Sequence, residues 1–410
     1  MKRRLFIFGN GASMAEGAPS WESLISKMVN LTEDKISKIA DTRYINDLNI
    51  NLIKSRLRDN QSLLINFLDD FFPNYKNEKN NEKIIPNFND IYPFLQIIFD
   101  NKEGLSTYNC KKYTNEDIGS LIDNLIWLLS VTLDFYLLES KGIHKEFIEN
   151  LFSLLGHKEF LLTNYINLNY DILLDNALTK LHSKKRDETV DIDYHIDFAN
   201  FEKKRFPDDE WTKPREKRNI SLLKPHGSLN WLYCPLCNRI ELTPLIKGAT
   251  ESATKSYRCL WDEINQKIPI VPPTLEQLHK VKSMQNLLNI SGSLIRKSDI
   301  IYFIGYGLND YDIYFRKQLK KYVLQDKKKK IYLICRSPFS ENKNENENKT
   351  TIRYKRFFGE DIIDTGMSFQ SFVDKIKIIH KSKNQGVNQK EEFENLIMKQ
   401  MNEILPENES

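Results

Sequence analysis

The sequence predicts an α/β fold, a doubly wound, mostly parallel sheet with a large helical insertion. Three observations predict it. Short apolar runs recur at residues 5–8, 159–163, 220–223, 299–304, 330–335 and 351–358. Segments with apolar residues at helical spacing, including 172–182, 275–293 and 311–324, lie between them. Several runs end in glycine or polar turn residues, at the strand ends where open α/β sheets bind ligands. Strands that alternate with helices build parallel sheets covered on both faces, because each crossover lays a helix across the sheet.

Taken in order, residues 5–8 are an apolar run that stops at a glycine, which reads as a buried strand. Ser20 is placed to cap a helix over 21–31, with Ser23 and Lys27 on its polar side. Residues 32–153 read as mostly helical, with apolar periodicity over 61–72, 90–99 and 116–140. The Asn- and Lys-rich stretch 74–89 reads as a loop. Residues 184–219 and 341–349 are charged and weakly periodic, as solvated segments are. After His380 the chain turns polar, and 389–405 is expected to form one terminal helix. The reading is one enlarged domain over 1–380, with the helical insertion at about 32–153 and a degenerate cysteine module at about 232–262, and a tail over 381–410. No internal repeat is visible.

The bulk numbers exclude more than they assign. The 410 residues suffice for a large core. Sixty Lys and Arg against 56 Asp and Glu leave a net charge of +4, too small to argue for nucleic acid or an acidic membrane. The basic run 327–330 is expected to be a solvated turn. Residues 121–138 are apolar but interrupted by Asp123, Asn124 and Asp134, so a buried helix is expected there and not a membrane span. The first eight residues imitate a signal peptide whose apolar run is too short. Five cysteines, an odd number thinly spread, do not form a disulfide framework, and a reducing cytoplasm is the simpler expectation.

Five motifs carry chemical interest. Gly9-Asn10-Gly11-Ala12-Ser13 follows the first strand, and glycines there let backbone N–H groups approach a diphosphate. A tight strand–helix turn explains it equally well. Thr163-Asn164-Tyr165-Ile166-Asn167-Leu168-Asn169-Tyr170-Asp171 places a carboxamide and a carboxylate two residues apart, where they could hold a ribose hydroxyl and an amide, though taken alone ordinary turn and cap chemistry explains it better. Lys224-Pro225-His226-Gly227-Ser228 sets a histidine after a strand, and histidine suits proton transfer near neutral pH. Gly305-Tyr306-Gly307-Leu308-Asn309-Asp310-Tyr311-Asp312 is a second glycine turn followed by a candidate helix cap. Cys234-Pro235-Leu236-Cys237, with Cys259 downstream, falls one ligand short of a closed zinc site. Metal ligands are therefore assigned to none, zinc remaining open only through Cys234, Cys237, Cys259 and a less usual fourth donor.

The order of these motifs resembles the sirtuin family, and in particular the sirtuin-like domains of bacterial anti-phage defence proteins. The resemblance rests on the first glycine loop, Pro19-Ser20-Trp21, Asn169-Tyr170-Asp171, His226-Gly227-Ser228-Leu229-Asn230-Trp231 and the run from Gly305 to Asp310. It implies a Rossmann-like, NAD-binding domain. It further implies Asn169, His226 and Asp171 as catalytic residues. Asn169 would bind ribose and orient water, Asp171 would position the nicotinamide end, and His226 would be the general base. Gly9, Gly11, Ala12 and Ser13 would cradle the diphosphate, with Pro19 and Trp21 beside them. Gly305, Gly307 and Asn309 would line the adenosine side.

The chain departs from the deacylating members. Trp21-Glu22 stands where they carry Phe-Arg, one cysteine pair is broken, and the helical insertion occupies the space after the first helix. With the acyl-lysine groove altered, the implied reaction is NAD+ hydrolysis to nicotinamide and ADP-ribose. The alternatives are a protein deacylase, a non-catalytic NAD or ADP-ribose sensor, or a scaffold whose motifs are only turns. The resemblance also implies a homo-oligomer acting beside a separate subunit, such as a HerA-type ATPase or an Argonaute.

Overall fold

The computed structural model describes residues 1–43, 47–72, 85–107, 110–184, 190–204, 213–216, 218–243, 254, 257–271, 282–323, 328–335 and 349–384. The expected terminal helix at 389–405 and most of the loops at 74–89 and 341–349 lie outside the described residues.

Strand β1 (Arg4–Phe8) leads into the short helix α1 (Asn10–Glu16) and then α2 (Trp21–Val29). The Ser20 hydroxyl caps α2 by accepting from Ser23 N–H, as its position predicts. Helices α3 (Glu33–Arg43), α4 (Asp47–Phe71) and α5 (Phe88–Asp100) follow. A small hairpin of β2 (Leu105–Ser106) and β3 (Lys112–Tyr113) precedes α6 (Asn115–Leu137) and α7 (Ile143–Phe160). Next come β4 (Thr163–Asn167), α8 (Leu173–Lys184), β5 (Asp191–Asp193) and β6 (Asn219–Leu223). A second hairpin pairs β7 (Trp231–Tyr233) with β8 (Ile240–Leu242). The chain then alternates through α9 (Lys282–Lys297), β9 (Ile300–Ile304), α10 (Ile313–Val323), β10 (Lys330–Ile334), α11 (Lys349–Phe358), β11 (Ile362–Asp364) and α12 (Phe369–Asn384).

Seven strands form one parallel sheet in the order β11-β10-β9-β1-β4-β6-β5. The fold is thus doubly wound α/β. Its central strands are apolar on both sides because both faces are covered. On one face Tyr165, Phe6, Tyr302 and Tyr332 stack across four neighbouring strands, with ring centroids 5.7, 4.7 and 5.0 Å apart. Phe147 of α7 and Phe372 of α12 close over this ladder. On the other face Phe303 meets Tyr354 and Phe358 of α11.

A second core gathers α2, α4, α5 and α6. Helix α6 is long and apolar enough to cross a membrane, yet 78% of its most apolar stretch is buried here, as in the core helix of a bundle. Tyr170, Leu229 and Ile270 join this core from loops at the edge of the sheet. Helix α7, by contrast, packs with the sheet, so the two cores divide between α6 and α7.

Three expectations are corrected. Residues 351–358 are not a strand but lie in α11, because the buried residues Thr351, Tyr354 and Phe358 recur at helical spacing. The sheet's edge strands are β11 and β5, both too short to show as apolar runs, and β5 lies within the 184–219 stretch expected to be a solvated segment. Strand β4 starts at Thr163, since Glu159 and Phe160 finish α7 and Leu161-Leu162 form the turn. In the basic run, Lys329 is buried and its ammonium donates to the carbonyls of Arg296 and Ser298, tying down the end of α9.

Candidate functional site

All seven strands point the same way, so their carboxyl ends share one edge. β1 lies between β4 and β9, to which the chain travels on opposite sides, and that switch point is where open α/β sheets take ligands. A cleft of about 560 Å³ opens there, within the roughly 300–1,000 Å³ of small-molecule sites. Gly9, Gly11, Trp21, Asn169 and His226 line it. So do Gly305, Gly307 and Asn309, from loops far away in sequence. Ala12, Ser13, Pro19 and Asp171 are not among its lining residues.

His226 is buried between two acceptors. Its Nδ1 lies 3.2 Å from the Leu168 carbonyl, and its Nε2 lies 3.3 Å from Oδ1 of Asp312. The other carboxylate oxygen of Asp312 accepts from the Tyr306 hydroxyl at 2.9 Å. A carbonyl and a carboxylate can only accept, so with both contacts made each ring nitrogen carries hydrogen and the ring is the imidazolium. Burial pushes the imidazole pKa down, but the Asp312 charge, its hydrogen bond and the Leu168 carbonyl prevail and hold it above the ordinary histidine value. A hydroxyl or water that gave its proton to Nε2 of the neutral ring would create the imidazolium that Asp312 stabilises. The carboxylate thus faces the nitrogen that exchanges the proton, unlike a catalytic triad, in which it holds the opposite one, so His226 and Asp312 would act as a pair sharing one proton.

Asn169 is held by its own amide. Nδ2 donates to the Gly9 carbonyl and to Ser13 Oγ, both at 2.9 Å. Its Oδ1 is left to accept from a hydroxyl or water in the cleft. Asp171 takes a different part from the one expected. Its carboxylate accepts from Ser13 Oγ at 2.5 Å and from Leu173 N–H at 3.1 Å, behind the loop and facing a separate hollow. It positions Ser13, and through Ser13 the amide of Asn169, and caps the start of α8. Ser13 and Ala12 are buried beneath the cleft floor.

The glycines also serve a purpose other than the expected one. Gly11 N–H donates to the Gly305 carbonyl at 2.9 Å, and Gly9 N–H to Ile304 O at 3.0 Å. These N–H groups join the two glycine loops and are not free for a diphosphate. Gly305 adopts φ +63°, and a Cβ there would stand 2.2 Å from Ala12 N. Only glycine lets the two loops touch backbone to backbone.

Each residue of the His226 loop has a local reason. Lys224 is fully buried, and its ammonium donates to Asp171 O (2.6 Å), Asp175 Oδ2 (3.1 Å) and Ser228 Oγ (2.6 Å). All three donors of the lysine are thereby used. Asp175 also accepts from the Tyr194 hydroxyl. Gly227, at φ +89°, runs so close to Pro269 that a Cβ would stand 1.7 Å from its carbonyl oxygen. Val271 N–H donates to His226 O at 2.9 Å.

That contact ties the His226 loop to the segment that follows the cysteine module. The expectation of a missing fourth donor is corrected by Asp262. The ligand atoms of Cys234, Cys237, Cys259 and Asp262 lie within 4.8 Å of one another. Two loops of one design bring them together. Cys234 N–H donates to Arg239 O and Asn238 N–H to Cys234 O, with Asn238 at φ +61°. In the second loop Cys259 N–H donates to Ile264 O and Glu263 N–H to Cys259 O, with Glu263 at φ +56°. Cys259-x-x-Asp262 thus repeats the Cys234-x-x-Cys237 knuckle with a carboxylate in the last place. Burial pushes the Cys237 thiol up to about 12, so that thiol would need a cation to ionise.

Sequence reasoning missed three residues of the cleft. Asp312 and Tyr306 fall inside a motif it singled out, but Asp312 reads there as a helix cap, and no spacing signal joins it to a histidine 86 positions earlier. Arg353, whose guanidinium donates to Gly307 O at 2.5 Å, sits on the helix mistaken for a strand.

No protein-family model matches this chain, and no curated protein does. Solved structures that it resembles are of sirtuins. A structure described as "The Structural basis for Sirtuin Substrate affinity" aligns over 94% of this chain and 93% of its own, with 11% identity and a TM-score of 0.36. A "Sir2-p53 peptide-NAD+" structure aligns over 94% and 93%, with 10% identity and a TM-score of 0.33. A mutant Sir2 homologue in complex with ADP-ribose aligns over 60% and 68%, with 13% identity and a TM-score of 0.31. Likeness this slight assigns neither family nor activity, and the residues of the cleft must carry the reading.

Proposed function

We propose that this chain hydrolyses NAD+ at the nicotinamide–ribose bond, releasing nicotinamide and ADP-ribose. One observation carries the proposal: His226 with its Asp312 partner and Asn169 with its oriented amide face one cleft at the switch point of the sheet. The nicotinamide leaves as a neutral pyridine and needs no general acid. As the C1′–N bond breaks, charge develops on the ribose as in glycoside cleavage. Asn169 Oδ1 accepts a hydrogen bond from the incoming water. The water oxygen bonds to C1′, and its proton passes to the His226–Asp312 pair, which together can hold one more proton. Trp21, packed against Phe88 and Tyr170, gives the cleft an aromatic wall that narrows access for water.

The cysteine module fits zinc in a structural role. Cys237 and Cys259 sulfurs are 3.7 Å apart, and Asp262 Oδ2 lies 3.4 and 3.5 Å from the sulfurs of Cys234 and Cys259. Tetrahedral zinc with ordinary bond lengths sets such edges at roughly 3.8 Å and 3.5 Å. Self-assembly, a cytoplasmic location, a part in anti-phage defence and pairing with a HerA-type ATPase belong to the same proposal, supported by the motif resemblance alone.

The test is incubation of purified protein with NAD+, alone and with candidate partner subunits, following nicotinamide and ADP-ribose. His226→Ala and Asn169→Ala are expected to abolish release while melting close to the parent. Parent-rate turnover by His226→Ala would refute the assignment. Release that required an acylated peptide would favour a deacylase, and tight binding without turnover a sensor.

A further inference from the structure

Beside the cleft lies a second hollow of about 440 Å³. Arg316 of α10 and Lys349, Arg353 and Arg356 of α11 line it, with Asp310 as its one carboxylate among the described residues. Arg353 borders both spaces, so the two are neighbours on either side of that side chain.

The hollow is more than a solvated helix face. Lys349, Arg353 and Arg356 follow at i, i+4 and i+7, which puts three like charges on one stripe where they repel. Lys349 also stands at the first residue of α11, where the helix dipole disfavours a cation. Arg316 closes the space from a different element, paired with Asp310 and stacked over Phe357, with its guanidinium 5.1 Å from the ring centroid. Gly307 O holds one nitrogen of Arg353, which leaves the rest of a planar fork suited to phosphate oxygens. Four cations set around a concavity against one carboxylate are poised for an anion of more than one charge.

Position identifies the end of the substrate that would reach it. His226 and Asn169 follow β6 and β4, on one side of β1. Gly307 and Arg353 belong to the loop after β9 and to the helix after β10, on the other side. A dinucleotide with its nicotinamide ribose at His226 spans β1 and ends with its adenosine beside Arg353.

We propose that this hollow is a phosphoryl subsite, and that it takes a phosphate carried on the adenosine ribose, so that the chain favours the 2′-phosphorylated dinucleotide NADP+ over NAD+. The inference rests on the proposed cleavage reaction for its orientation. The full chain would be assayed with NAD+ and NADP+, and its binding of adenosine 2′,5′-bisphosphate compared with that of ADP. We expect higher kcat/KM for NADP+ in the parent. The double variant Lys349→Glu/Arg356→Glu is expected to shift the NADP+ to NAD+ ratio at least tenfold toward NAD+ and to weaken the bisphosphate at least tenfold more than ADP. Equal ratios in parent and variant overturn the inference. Thermal protection by inorganic pyrophosphate that the variant loses, with the substrate ratio unmoved, also overturns it, because the ligand is then a free anion. If neither dinucleotide is cleaved the proposed reaction fails, while the bisphosphate comparison still decides the subsite.

Discussion

Oδ1 of Asp312 stands 3.3 Å from Nε2 of His226, joining the loop after β9 to the loop after β6 in the wall of the cleft. The pair is the central electrostatic feature of the site. Its consequences can be measured.

Replacing Asp312 by Asn removes the charge that raises the His226 pKa and leaves burial to lower it. NAD+ turnover is expected to fall by about 10²–10⁴-fold, the scale of a lost acid–base contribution. The acidic limb of the pH–rate profile should move to lower pH than in the parent. An unmoved limb would show that another group titrates there. Because the folded-state value is raised, the pair stabilises the fold fully below the unfolded value of about 6.5, and that contribution fades as pH rises through the folded value. The stability gap between parent and Asp312→Asn should therefore narrow with rising pH in denaturant titrations.

Gly305→Ala and Gly307→Ala should separate architecture from chemistry. The first places a Cβ 2.2 Å from Ala12 N at φ +63°, so the loops must part. A loss of at least about 1–3 kcal/mol is expected, the usual cost of a strained backbone position. At Gly307 the nearest atom to a new Cβ is 3.9 Å away, on Arg353. That variant should melt close to the parent. Similar melting of the two would argue against loop contact as the reason for Gly305.

Lys224→Met leaves Asp175 buried without its cation. Breaking such a pair costs about 3–5 kcal/mol, which chemical denaturation would register. His226 sits two residues away and should lose its fixed position, so activity should fall even where the variant remains folded.

The cysteine module predicts about one zinc per chain by elemental analysis. Cys259→Ser or Asp262→Ala should lower that content, whereas Asp262→Cys should retain it. Chelation should lower the melting temperature. Because Val271 N–H holds His226 O, it should lower activity as well. Full metal loading of a Cys234→Ser/Cys259→Ser double variant would place the metal elsewhere.

The sheet was legible because its strands are buried on both faces. That requirement writes itself into continuous apolar runs such as 300–304. The edge strand β11 faces solvent and needs no such run, so it left no trace. The stretch 351–358 misled because its β-branched and aromatic residues suit strands, while only the spacing of Thr351, Tyr354 and Phe358 reveals the helix.

Within the site, the sequence by itself marked where the loops fall, because glycines, Asn169 and His226 cluster directly after apolar runs and such clusters are local patterns. Only the tertiary structure decided what each does. It turned Asp171 away from the cleft to brace Ser13 and brought Asp312 to His226. It supplied Asp262 as the fourth donor of the cysteine cluster, and it gathered four cations beside Arg353. The reason is physical. These relations act through space between residues up to 158 positions apart, and the energy of a charge pair depends on distance and burial, neither of which is set by separation along the chain.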